Sequence, residues 1–302
     1  MAGQPIPRPA GVALMMVIAT VFGSNHIAAR VAFDHGTNVT TAVAFRSAGT
    51  ALIVLMLLLF TGTSLKVERK NLGRTLVVGL LISVQSYCLY SSVAAIPVAL
   101  ALLAFNTHPM ALSLLSWASG GERPARRMLV AMPVALAGLA LALDVWGRSG
   151  AHLIGMAGRW AEIGAGVLWA TGASLSFACA MLLTAHKLGG MDGRLRSFLT
   201  MSVVAVATIA GGAVAGDFAL PADGTGWLAL AALTALYGTA ITSLFVLLPK
   251  LGAVNNMAIL NFEPIAVLGI AWVALGQAVA PLQVLGAFIV IGAIMWMGSG
   301  KK

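Results

Sequence analysis

Apolar residues run through the chain in long stretches, and polar residues fall in short breaks between them. Cut at the length a helix needs to cross a bilayer, about 20 residues, the pattern predicts ten segments. They lie at about 10–30, 39–61, 74–93, 97–118, 126–144, 162–184, 197–215, 226–248, 253–275 and 281–298. The breaks carry turn chemistry. Thr61-Gly62-Thr63-Ser64, with Lys66 to Lys70, is polar and basic; Gly120-Gly121-Glu122-Arg123-Pro124 closes the fourth segment; Pro249-Lys250-Leu251-Gly252 separates the eighth from the ninth. Pro97 and Pro281 stand at segment starts, where a missing N–H costs little because first-turn N–H groups have no partner within the helix.

Composition turns these segments into membrane spans. Of 302 residues, 60% are hydrophobic and 9% charged, against roughly 25% charged in a soluble domain. So few charges cannot wet the surface of a globule this large, and the apolar faces must meet lipid. The expected fold is therefore an all-α membrane protein. Ten spans leave roughly 100 residues for loops and tails, too few for a soluble domain.

The net charge of +9 does not point to nucleic acid, because the basic residues cluster between the apolar runs. With a cytoplasmic N-terminus, Arg8, Lys66, Arg69, Lys70, Arg74, Arg123, Arg126, Arg127, Lys187, Arg194, Arg196, Lys250, Lys301 and Lys302 all fall inside. Arg30, Arg148 and Arg159 fall outside, and Arg46 lies within a segment. This bias predicts an even number of spans with both termini cytoplasmic. Arg8 before the run from Gly11 to Gly23 has the look of a signal peptide, but the segment continues to Ala29 and nine more follow. Cys88 and Cys179 sit inside apolar segments, with neither metal spacing nor a disulfide framework. No cofactor or metal site is expected. Gly298-Ser299-Gly300-Lys301-Lys302 lacks phosphate-loop spacing, so energy for any transport would come from a gradient.

The chain repeats itself. An offset of 155 positions maps Asn106, His108, Pro109, Trp117, Gly121 and Glu122 onto Asn261, Glu263, Pro264, Trp272, Gly276 and Gln277. Matches in such uncommon residue types define two halves, 10–144 and 162–298, each of five helices. An odd number of spans per half inserts the halves in opposite orientations. The expectation is two inverted five-helix repeats around a central cavity, a recurring transporter design.

Several motifs resemble EamA-type proteins of the drug/metabolite transporter superfamily. Pro264, Leu275-Gly276-Gln277 and Pro281-Leu282-Gln283-Val284-Leu285-Gly286 are similar to the closing signature of that family's halves, echoed by Pro109 and Gly121-Glu122-Arg123. Phe22-Gly23 resembles its Trp-Gly, and Ala44-Phe45-Arg46 its aromatic-Arg pair. The resemblance spans essentially the whole chain and implies ten helices, cytoplasmic termini and export of amino acids, their relatives or other metabolites. The chain looks most similar to bacterial amino-acid exporters, including those for aromatic amino acids. Phe22, Gln277, His108 and Glu263 depart from the family's usual residues.

Polar groups within spans are costly unless they face a cavity or one another. Glu263, beside Pro264, can bind a substrate ammonium or carry a proton; the alternative is a protonated acid bonded to a neighbouring helix. Asn256 lies seven positions earlier, on the same face. His108 is the repeat-mate of Glu263, with Asn106 close by, so a His108–Glu263 pair is expected at the symmetry axis. Asn25 and His26 are placed near the outer end of the first helix, at an outer gate or in interfacial water. Arg46 can neutralise a carboxylate or reach the outer headgroups. Gln85, Ser86, Tyr87 and Tyr90 make the third helix polar, and Trp169 and Tyr237 add aromatic surface with a donor; the aromatic residues can equally anchor at the interface. Pro109 and Pro264 are expected to kink their helices as paired hinges. Asp144 reads as a membrane-boundary residue.

The partners expected are thus a small-molecule substrate, lipid and, as a coupling ion, the proton. A channel or facilitator is the alternative function. An intramembrane serine hydrolase is a weaker one: Gly147-Arg148-Ser149-Gly150, with His152 after it, matches GxSG but falls in the longest outer loop and reads as a turn.

Overall fold

The structure is a computed structural model that describes residues 8–96, 98–121, 123–142, 160–251, 257–275 and 280–298. Pro97, Glu122, Asp144, the Gly147–Gly150 tetrapeptide, His152, Asn256, Gly276 and Gln277 lie outside the described residues. The described residues form helices joined by turns, in the order α1 (Arg8–Asp34), α2 (Val39–Phe60), α3 (Arg69–Ala95), α4 (Val98–Phe105), α5 (His108–Ala118), α6 (Arg126–Ala142), α7 (Trp160–Lys187), α8 (Gly193–Ala215) and α9 (Gly224–Leu251). A 3-10 segment (Met257–Phe262) then leads into α10 (Glu263–Leu275), followed by α11 (Pro281–Gly298).

Among the described residues, six helices, α1, α2, α3, α7, α8 and α9, are long and apolar enough to cross a membrane. The fourth and ninth predicted spans are not continuous helices. The fourth breaks at Asn106-Thr107 between α4 and α5, and the ninth changes from 3-10 to α geometry between Phe262 and Glu263. Pro109 and Pro264 are therefore not mid-helix kinks: each is the second residue of the half-helix after the break.

The first break has a local cause. Pro109 has no N–H to bond the carbonyl four residues back, and its ring crowds that carbonyl. The carbonyl is that of Phe105, and it accepts instead from His108 Nδ1 at 3.0 Å. Asn106 Nδ2 donates to the Leu102 carbonyl at 2.7 Å, and Thr107 Oγ1 to that of Ala104 at 2.8 Å. The Leu102 and Ala104 carbonyls also accept the Asn106 and Thr107 N–H groups, so it is the Phe105 carbonyl that a side chain re-satisfies, which makes the break tolerable at membrane depth.

The halves interlock. α1 packs on α9, α3 on α7, α2 on α8 and α6 on α11. Glycine makes the α6–α11 contact close, and likewise a contact of α1 with α10. A methyl on Gly286 would collide with the backbone of Gly138 and Ala142 on α6, and one on Gly23 would lie 3.0 Å from the Glu263 carbonyl oxygen. On one side of the molecule, the α1–α2 turn is tied to the α8–α9 connection. Asp217 accepts from Asn38 Nδ2 at 2.8 Å and from Thr40 Oγ1 at 2.7 Å, while His35 Nδ1 meets Asp223 Oδ2 at 2.7 Å.

Candidate functional site

The close approach at Gly23 sets the site. It lets α1 lie against the start of α10, and one turn further along α1, His26 Nε2 comes 3.1 Å from Glu263 Oε1. Both side chains are buried. The contact has ion-pair distance without hydrogen-bond angle, since Glu263 Oε1 has no hydrogen-bond partner.

Arg46 projects from α2 and is 2% exposed. Its Nη1 donates to the Tyr90 hydroxyl at 3.1 Å, and that hydroxyl donates to Asn25 Oδ1 at 3.1 Å. The guanidinium carbon lies 3.6 Å from the Tyr237 ring centroid and 4.5 Å from that of Tyr90. Arg46 Nε and Nη2 have no partner among the described residues.

These groups line one cavity. Asn25, His26, Arg46, Gln85, His108, Tyr237 and Glu263 supply its polar lining, and Phe22, Leu89, Phe105, Phe177, Ile241 and Leu260 its apolar lining. His108 sits edge-on to Phe177, with ring centroids 5.0 Å apart, and its Nε2 is unpartnered. Because a carbonyl only accepts, the bond to Phe105 places a proton on Nδ1.

The structure thus brings together seven of the residues singled out from sequence, with corrections. Glu263 faces His26, not His108. Asn25 and His26 are buried in the cavity wall rather than in interfacial water. Arg46 does not snorkel: its guanidinium is buried against the Tyr237 and Tyr90 rings. Tyr90 stands behind Arg46 as its support. Asn106 is buried, but its amide turns back to the Leu102 carbonyl and does not line the cavity. Tyr87 and Trp169 lie on the outer surface, 44% and 43% exposed, edge-to-face with each other. Ser86 bonds Gln85 Oε1 at 3.3 Å. Phe105 and Phe177 were missed as cavity residues, since an apolar residue among so many others carries no signal of its own.

The EamA-like transporter family model matches twice, over residues 9–143 and 164–299. A crystal structure of a protein 15% identical to this chain superposes with a TM-score of 0.73, covering 95% of this chain and 96% of the other. At that identity the likeness shows the fold alone. No curated protein matches the sequence. With the family model repeated across both halves, the chain belongs to the EamA-like transporter family and is a multi-pass membrane transporter of the drug/metabolite transporter superfamily.

Proposed function

We propose that the protein is a secondary transporter exporting amino acids or related small metabolites by alternating access, from a bacterial inner membrane with both termini cytoplasmic. The observation that carries this reading is that both halves contribute buried ionisable groups to one cavity. The first half supplies His26, Arg46 and His108, and the second supplies Glu263. Ionisable residues at membrane depth are expensive and mark solute or ion pathways.

The helix pairing supports inverted halves. If α1, α2, α3 and α6 correspond to α7, α8, α9 and α11, then α1 on α9 and α3 on α7 are the same contact made twice. The α2–α8 and α6–α11 contacts would then lie on the two-fold axis. The breaks before Pro109 and Pro264 put the interrupted spans beside the cavity, as in carriers whose sites form at discontinuous helices. The Lys and Arg bias supports the orientation.

The test is efflux from proteoliposomes loaded with a mixture of radiolabelled amino acids, with and without a pH gradient. Saturable efflux of particular amino acids is expected. Gradient-dependent efflux would bring protons into the mechanism through the His26–Glu263 pair or His108. Non-saturating efflux with single-channel conductance would indicate a channel. No efflux from folded, inserted protein would overturn the amino-acid assignment.

A further inference from the structure

Among the described residues, nothing neutralises the charge of Arg46. A guanidinium stays protonated even when buried, and a buried cation without a counter-ion is costly. The Tyr237 and Tyr90 rings lie against it but carry no negative charge. The one carboxylate lining the cavity, Glu263, faces His26 at 3.1 Å. Among the described residues no carboxylate pairs with Arg46.

The free atoms are informative. Nη1 is committed to Tyr90, which leaves Nε and Nη2. Those two nitrogens form the side edge of the guanidinium, where two parallel N–H bonds match the two oxygens of a carboxylate. Arg46 lines the cavity, whose remaining wall is largely the apolar side chains of Phe22, Leu89, Phe105, Phe177, Ile241 and Leu260.

We infer that Arg46 is the receptor for a solute carboxylate, and that this cavity takes monoanions with an apolar or aromatic body, for which an ammonium group is dispensable. The inference rests on the transporter reading and narrows its substrate. With one proton on the His26–Glu263 pair that pair sums to zero, and with His108 carrying only its Nδ1 proton Arg46 then leaves the cavity at plus one. A monoanion restores neutrality. A free amine adds a second unmatched cation.

The test is ligand-induced thermal stabilisation and direct titration of the purified full chain in lipid nanodiscs, which needs no transport. The probes are 3-phenylpropanoate, phenylalanine, phenylalaninamide, 2-phenylethylamine and chloride. The expected result is that both carboxylates bind, with 3-phenylpropanoate at least as tight as phenylalanine. The amide and the amine should bind at least about tenfold more weakly, as expected for losing a charge-assisted pair. Arg46→Gln should abolish the discrimination and Arg46→Lys should keep part of it. If Arg46→Gln does not fold, the series on the unaltered protein decides.

Three results would overturn the inference: amine or amide binding as tight as carboxylate, equal stabilisation by chloride alone, or no binding of either carboxylate. Carboxylate binding without efflux would instead count against the transporter reading. Saturable efflux of amino acids with no carboxylate preference would keep that reading and reject this inference.

Discussion

Glu263 opens α10 with its carboxylate 3.1 Å from His26 Nε2 on α1, so the two halves of the chain meet through one buried acid–imidazole contact. Breaking such a pair is more harmful than replacing it, because the survivor is left buried without a partner. His26→Ala should lower stability by about 3 kcal/mol on that basis. Glu263→Gln in the His26→Ala background should recover much of the loss. Thermal unfolding of the four proteins in a double-mutant cycle measures this; additive effects would show that the pair is not coupled.

Arg46 depends on its two tyrosines in different ways. Tyr90→Phe removes the hydroxyl that accepts from Nη1 and donates to Asn25, and should cost about 1–2 kcal/mol. Tyr237→Phe keeps the ring face against the guanidinium and should be nearly silent. Tyr237→Leu removes that face and should cost about 1–2 kcal/mol. Equal losses in Tyr237→Phe and Tyr237→Leu would place the importance in the hydroxyl instead.

Two glycines on α11 give an internal control. Gly292 has open space where a Cβ would go, so Gly292→Ala should stabilise by up to about 1 kcal/mol through helix propensity. Gly286 faces the α6 backbone, so Gly286→Ala must push the helices apart and should sharply reduce the yield of folded protein. Size-exclusion profiles and unfolding temperatures distinguish the two. Similar behaviour of both variants would contradict the close α6–α11 contact.

The tie between the α1–α2 turn and the start of α9 should be sensitive to acid. Asp223 accepts from the Gly226 N–H at 2.8 Å, as a helix N-cap does, and meets His35; these hold its carboxyl below the usual carboxylate range. A depressed folded-state pKa stabilises above the unfolded value and loses that contribution as pH falls through the folded one. Asp223→Ala should therefore lower the unfolding temperature at neutral pH. Its difference from the unaltered protein should shrink below about pH 4. A difference that persists unchanged into strong acid would mean the carboxylate charge plays no part.

Hydrophobic run length, the sparse charges and the Lys and Arg bias made the multi-pass helical membrane character legible in the sequence. All three are one-dimensional consequences of lipid as solvent, and need no knowledge of which helix touches which. The repeat was legible too, because rare residues such as His108, Pro109, Glu263 and Pro264 recur at one offset. The two prolines read as kinks inside the fourth and ninth spans, where the structure has breaks just before them; proline acts on the carbonyl of its own chain, but how far the helix gives way there is settled by its neighbours.

What tertiary structure decided was which polar residues share a space. His26 and Glu263 are far apart in the chain and meet because Gly23 lets α1 approach α10. Tyr87 and Tyr90 sit one turn apart on α3, yet one lies on the outer surface and the other supports Arg46. When every face of a helix is apolar, periodicity cannot tell lipid from cavity; only the packing of neighbouring helices draws that line. The same reason hid Phe105 and Phe177, and left the unpaired edge of Arg46 invisible until the whole bundle was in place.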